Sequence, residues 1–193
     1  MSNALQEFDD HVRGFAESKE LSDRDLLANF TIGLSGEAGE VTDALKKHLY
    51  HGDLFNRVNL IKEAGDLAWY WFALMQRLEC DRILIARQTQ LTLIEFADAP
   101  IVLPRSALYL SSETGRMSQV MLNHLFNEES LDRKEAQITM QCIFHILLCI
   151  LKYFDIPLEV VLKANIEKLR SRHGGTAFNR EAQRLNKALE ESI

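Results

Sequence analysis

Apolar residues recur along this chain at spacings of three and four, the period of helices with one buried stripe. Over residues 3–17 the stripe is Leu5, Phe8, Val12 and Phe15. Ser22 or Asp23 is placed to cap a second helix running to about residue 50, with Leu26, Phe30, Leu34, Val41, Leu45 and Leu49 on its apolar face. His51-Gly52-Asp53 stops it. A third helix is expected over 57–79 and a fourth over Arg82–Glu95. The third is almost wholly apolar after Asp66, as a helix surrounded by others must be.

Residues 98–105 contain Pro100 and Pro104 and read as a linker. Helical periodicity then resumes over 106–126, breaks at the polar stretch 127–132, and returns over 134–154. Pro157 opens a helix to about residue 172, and Gly174-Gly175 ends it. A charged tail helix is expected over 180–191. No β-hairpin signature occurs, so the fold class is all-α, a helical bundle.

The resumption after the linker is a repeat. Leu34-Ser35-x-Glu37-x-Gly39 matches Leu110-Ser111-x-Glu113-x-Gly115, and His48-Leu49-Tyr50 matches His124-Leu125-Phe126, at a constant offset of 76. At an offset of 75, Trp69-Tyr70 aligns with Phe144-His145. Duplication explains both the offset and the shared order of breaks better than two unrelated hairpins do. The chain divides into repeat one (1–97), the linker (98–105), repeat two (106–179) and the tail (180–193).

Composition narrows the function. The net charge of −6 leaves no broad basic face for nucleic acid. Three cysteines, Cys80, Cys142 and Cys149, lack the spacing of a zinc site or a disulfide framework. Cys142 and Cys149 are expected together on one buried helix face. Glu7, Asp9 and Asp10 at the start do not suit a signal peptide. The longest apolar run, 143–151, contains His145 and is too short to span a bilayer. A reducing cytoplasm and no membrane partner fit these features.

The chemistry concentrates in Glu37-Ala38-Gly39-Glu40 and Glu63-Ala64-Gly65-Asp66. Residues three apart share one side of a helix. Each helix presents two carboxylates, and a turn at Gly52 lets the helices pack antiparallel, so four acids can meet. Clustered, desolvated carboxylates repel and raise one another's proton affinity. A hard cation removes that cost, and oxygen donors select magnesium, calcium or manganese over zinc or copper. Gly39 and Gly65 each cost roughly 1 kcal/mol in a helix, which a close approach of backbones would explain. Solvated helix faces are the plain alternative. A di-iron bundle needs Glu-x-x-His pairs, which are absent.

Gly33-Leu34-Ser35-Gly36-Glu37-Ala38-Gly39-Glu40-Val41, Lys46-Lys47, and Ile61-Lys62-Glu63-Ala64-Gly65-Asp66-Leu67-Ala68-Trp69-Tyr70 together resemble the MazG-like nucleotide pyrophosphohydrolases, a superfamily that includes the dimeric dUTPases and dCTP pyrophosphatases. The resemblance covers roughly residues 26–178. It implies four-helix units, magnesium held by Glu37, Glu40, Glu63 and Asp66, and cleavage of a nucleoside triphosphate to the monophosphate and pyrophosphate. Glu37 or Glu40 would serve as general base. It also picks out Asn165-x-x-Lys168-x-x-x-Arg172, whose spacing aligns an amide and two cations for phosphate. The alternative there is an ordinary basic helix end.

The chain departs from the simple family pattern. After the first acids, Gln90 and Leu93 stand where the asparagine and lysine belong. In repeat two, Arg116 replaces the second glutamate, and Ile138 and Gln141 replace the Glu-Asp pair. Repeat one keeps the metal ligands and repeat two the phosphate-binding helix, so the expectation is a fused pseudo-dimer with one composite site. A homodimer of pseudo-dimers is left open. Asn29, Phe30, Trp69, Trp71 and Tyr70 are base-binding candidates, each more often plain core, and the preferred base is open. The rival reading from another class is a non-catalytic nucleotide-binding or regulatory helical protein. A structural bundle comes third.

Overall fold

A computed structural model describes residues 2–16, 21–95, 102–127 and 129–173. Among them are seven helices: α1 (Ser2–Ala16), α2 (Asp23–Tyr50), α3 (Arg57–Arg77), α4 (Arg82–Glu95), α5 (Leu103–Phe126), α6 (Arg133–Tyr153) and α7 (Leu158–His173). They contain no strand among the described residues.

Local chemistry sets most boundaries. The Ser22 hydroxyl accepts from the Asp25 backbone N–H at 3.1 Å, while Asp23 and Asp25 complement the positive end of α2. Gly52, at φ +74°, takes the left-handed conformation that lets the chain leave α2. Asn56 caps α3 at 2.9 Å and Asp132 caps α6 at 2.9 Å. The expected start of the fifth helix at residue 106 is corrected: α5 begins at Leu103, with Pro104 in its first turn. A proline there forfeits no helical hydrogen bond and comes with its φ preset, so residues 103–105 belong to the helix rather than a linker. The Gly174-Gly175 stop and the tail helix lie outside the described residues.

Short loops make consecutive helices antiparallel neighbours. α2 packs along α3 and α5, α5 packs along α6, and α3 meets α6, closing a four-helix core. α3 is its centre: Leu67, Trp71, Phe72, Leu74 and Met75 are each 0% exposed. Each such side chain contributes about 1.5–3 kcal/mol by leaving water. The Trp71 indole N–H donates to the Met140 carbonyl at 2.6 Å, so its one polar atom is satisfied against α6.

The outer helices cross over. α4 follows α3 but packs mainly on α6, and α7 follows α6 but packs mainly on α3. α1 lies against α7 and α3, and its buried Asp9 is held by Arg82 of α4, with one contact at 2.9 Å. Among the described residues, α6 alone is long and apolar enough to cross a membrane by length and composition, and half of that window is buried in the bundle. The crossover of α7 onto α3 is what positions the site.

Candidate metal centre

Glu37 projects from α2, and Glu63 and Asp66 from the facing turn of α3. Their carboxylate oxygens lie within 4.8 Å of one another. Glu63 is 6% exposed, while Glu37 and Asp66 are half-buried. Like charges this close, with little water to screen them, oppose each other's ionisation. Burial above all, then Asp66 and Glu63, pushes Glu37 from an ordinary 4.5 up to about 7. Lys62 offsets part of the charge, its amine 3.2 Å from Glu63.

α7 closes the cluster from the other side. The Asn165 amide donates to Asp66 Oδ1 at 2.7 Å, and the Lys168 amine pairs with Asp66 Oδ2. Asn165 is 3% exposed, and its Oδ1 has no partner among the described residues. Lys168 and Asp66 are 102 residues apart in sequence. Gly65 makes the approach possible, because a Cβ there would stand 3.0 Å from Asn165 Cβ and 3.4 Å from the Val161 carbonyl. The matching expectation for Gly39 is corrected: it is exposed, and a Cβ there would meet nothing within 4 Å. The glycine that matters on α2 is Gly33, where a Cβ would run into the Tyr70 ring.

These groups open onto a cleft of about 180 Å³. Glu37 and Asp66 form one wall, Lys168 and Arg172 another, and Phe15, Trp69, Tyr70 and His173 supply rings. The Tyr70 hydroxyl, held among apolar groups and beside Glu37 and Asp66, has its pKa raised. Glu40 is exposed and lies outside the close set of three, although its charge also raises Glu37. Arg172 is exposed at the cleft rim.

Of the base-binding candidates, Trp69 and Tyr70 line the cleft. Phe30 is 2% exposed and packs edge-on to Trp69 at 5.8 Å, and Asn29 is exposed and away from the lining. Phe15 and His173, whose rings meet at a tilt of 56° with centroids 5.4 Å apart, are cleft residues that the sequence pattern did not single out. Phe15 sits on the apolar stripe of α1 like any core residue, and nothing local marks it.

The donor set fits a hard divalent cation. It is all oxygen, partly desolvated, and short of positive charge, with a buried amide oxygen unpartnered beside it. Soft metals would be poorly matched, because among the described residues no thiol or imidazole joins the three acids. Scans against protein-family models, curated proteins and solved structures returned no match.

Proposed function

We propose that the protein is a magnesium-dependent nucleoside triphosphate pyrophosphohydrolase of the MazG-like kind, acting in the cytoplasm. The observation that carries this reading is the clustering of Glu37, Glu63 and Asp66, with the Lys168 amine on Asp66, beside one aromatic-walled cleft that Glu37, Asp66 and Lys168 line. Acids alone would suit any cation site. Acids faced by a lysine and an arginine suit a cation that arrives with, or receives, a phosphate chain.

Glu37, Glu63 and Asp66, with Glu40 as the exposed fourth, would hold magnesium, or manganese in its place. The cation would neutralise triphosphate oxygens and make water a better nucleophile. Asn165 fixes the orientation of Asp66. Lys168 and Arg172 place positive charge where the departing pyrophosphate accumulates negative charge. The proton of the attacking water goes to a glutamate of α2, Glu37 or Glu40. Trp69, Tyr70 and Phe15 offer ring faces to the base.

The site is composite, and we read the chain as an internally duplicated pseudo-dimer. Three features support this. α4 on α6 and α7 on α3 are reciprocal crossings. The Ser35–Ser118 hydroxyl contact of 3.0 Å maps, at the offset of 76, onto Thr42 and Ser111, which flank one groove between α2 and α5. Finally, the positions equivalent to the four acids are Glu113, Arg116, Ile138 and Gln141, and Arg116 bonds Glu113 at 3.1 Å and Glu135 at 2.6 Å. Where metal binding is lost, an arginine now balances the remaining acid.

The test is ligand-dependent thermal stabilisation of the full chain. A triphosphate and magnesium together should raise the melting temperature well above either alone, with about 2.7 kcal/mol of stabilisation at a hundred times Kd. Equal shifts with the monophosphate, or shifts that ignore the metal, contradict the reading.

A further inference from the structure

A second cavity, about 450 Å³, opens between α4, α5 and α6. It is larger than the acidic cleft and shares no lining residue with it. Glu113, Ile138, Gln141 and His145 line it, at offsets of 75 or 76 from Glu37, Glu63, Asp66 and Tyr70. On the duplication reading above, this cavity is the counterpart of the acidic cleft, and the inference rests on that reading.

The replacements remove the acids that would hold a metal, and the guanidinium beside the cavity, Arg105, is engaged with the Tyr109 ring and hydroxyl. Two of the four acids have become Ile138 and Gln141, and a third has become Arg116, which is engaged with Glu113 and Glu135. No lysine or arginine lines the cavity among the described residues. The counterpart of Lys168 is Leu93, and residues 93–101 contain no lysine or arginine. The remaining acid, Glu113, is paired with Arg116 at 3.1 Å, so the pair offers neither a free carboxylate for a cation nor a free guanidinium for a phosphate.

What remains is a site for a flat, uncharged, hydrogen-bonding molecule. Ile138 and Ile146 provide apolar wall, and Tyr109 a half-exposed ring. Gln141 offers both a donor and an acceptor. His145 adds an imidazole whose Nε2 lies 3.5 Å from the Cys149 thiol, leaving Nδ1 as its one polar atom for a ligand. Thr92 donates to the Gln88 carbonyl at 3.0 Å and keeps acceptor capacity. Alternating donors and acceptors on a planar apolar body describe a nucleobase. We propose that this cavity binds an uncharged nucleoside, without metal, at a site separate from the acidic cleft.

Cys142 lines the cavity and is half-buried, which gives a site-specific reporter. The full chain, in EDTA at alkaline pH, is treated with iodoacetamide in the presence of each common ribo- and deoxyribonucleoside. Peptide mass mapping follows Cys142, with Cys80 as internal control. At least one nucleoside should slow Cys142 alkylation about tenfold at ten times its Kd, leaving Cys80 unaffected. Ile138→Trp, which fills the cavity, and the gentler Gln141→Ala should abolish or weaken this protection, whereas Asp66→Asn should leave it intact.

Three outcomes overturn the proposal: no protection by any nucleoside at about 10 mM, near the weakest useful affinity; equal protection by the matching triphosphate; or a Cys142 that does not react in the free protein. Because EDTA removes the cation, failure here leaves the pyrophosphohydrolase reading standing. Failure of that reading, in turn, appears as absent turnover with nucleoside protection intact.

Discussion

Glu37→Gln should make the metal-free protein more stable at pH 8, although it removes a group placed at the candidate site. The carboxylate lies in a cluster whose oxygens are within 4.8 Å, and its pKa is pushed from 4.5 up to about 7. A glutamate whose folded-state pKa is raised stabilises the fold while protonated and loses that contribution as pH rises from 4.5 through 7. At about 1.4 kcal/mol per tenfold change in proton affinity, the ceiling is about 3.4 kcal/mol. Glu37 is half-buried, so screening by solvent reduces this to about 1–2 kcal/mol. The assay is urea unfolding in EDTA at pH 8 and at pH 4.5, followed by magnesium titration at pH 8. The variant should exceed wild type at pH 8, the gap should close at pH 4.5, and magnesium should stabilise wild type more than the variant. A variant equal to or weaker than wild type in EDTA at pH 8 would refute the idea that burial, and after it the neighbouring acids, disfavours the Glu37 carboxylate.

Gly65→Ala should destabilise the fold by about 1–2 kcal/mol in urea unfolding, because its Cβ meets Asn165 at 3.0 Å, whereas Gly39→Ala, in open space, should stabilise by up to about 1 kcal/mol. Lys168→Met should keep the helical circular dichroism spectrum and lower kcat/KM for triphosphate hydrolysis about a hundredfold. Unchanged kcat/KM would remove Lys168 from the chemistry. His11 is 7% exposed, and burial together with Arg170 lowers its pKa from 6.5 to about 4. The unfolded chain then binds the extra proton, so His11 diminishes stability as pH falls from 6.5 towards 4. Comparison with His11→Phe across that window should show wild type losing ground at low pH, and parallel curves would contradict it.

Helices were legible where one signal dominated. Ser22 caps α2 and Arg82–Glu95 forms α4 as the apolar period and capping chemistry imply. Residues 103–105 misled because Pro104 has two meanings, a break inside a helix and a good first-turn residue, and only the packing of Leu103 at 2% exposure selects the second. The buried face expected for both cysteines was too strong: Cys142 and Cys149 are half-buried, Cys142 at a cavity wall and Cys149 3.5 Å from His145.

At the site, the three-residue spacing put Glu63 and Asp66 on one side of α3, but the same spacing expected Glu40 beside Glu37, and Glu40 is exposed outside the close set. Gly39 and Gly65 look identical in sequence, and only the seating of α7 on α3 separates them. The same seating brings Lys168 to Asp66, and the packing of α1 on α7 brings Phe15 to His173. No local pattern encodes contacts across such distances. They follow from which faces the core leaves for α1 and α7 to cover.

The most direct test of the account is pyrophosphate release by the full chain from a panel of canonical, deoxy and modified nucleoside triphosphates, with and without magnesium, beside Asp66→Asn. The expected result is metal-dependent release of pyrophosphate with monophosphate as co-product, a preference among bases, and loss of turnover in the variant. No release from any triphosphate, or release that persists in EDTA or in the variant, would contradict the assignment of the clustered acids to this chemistry.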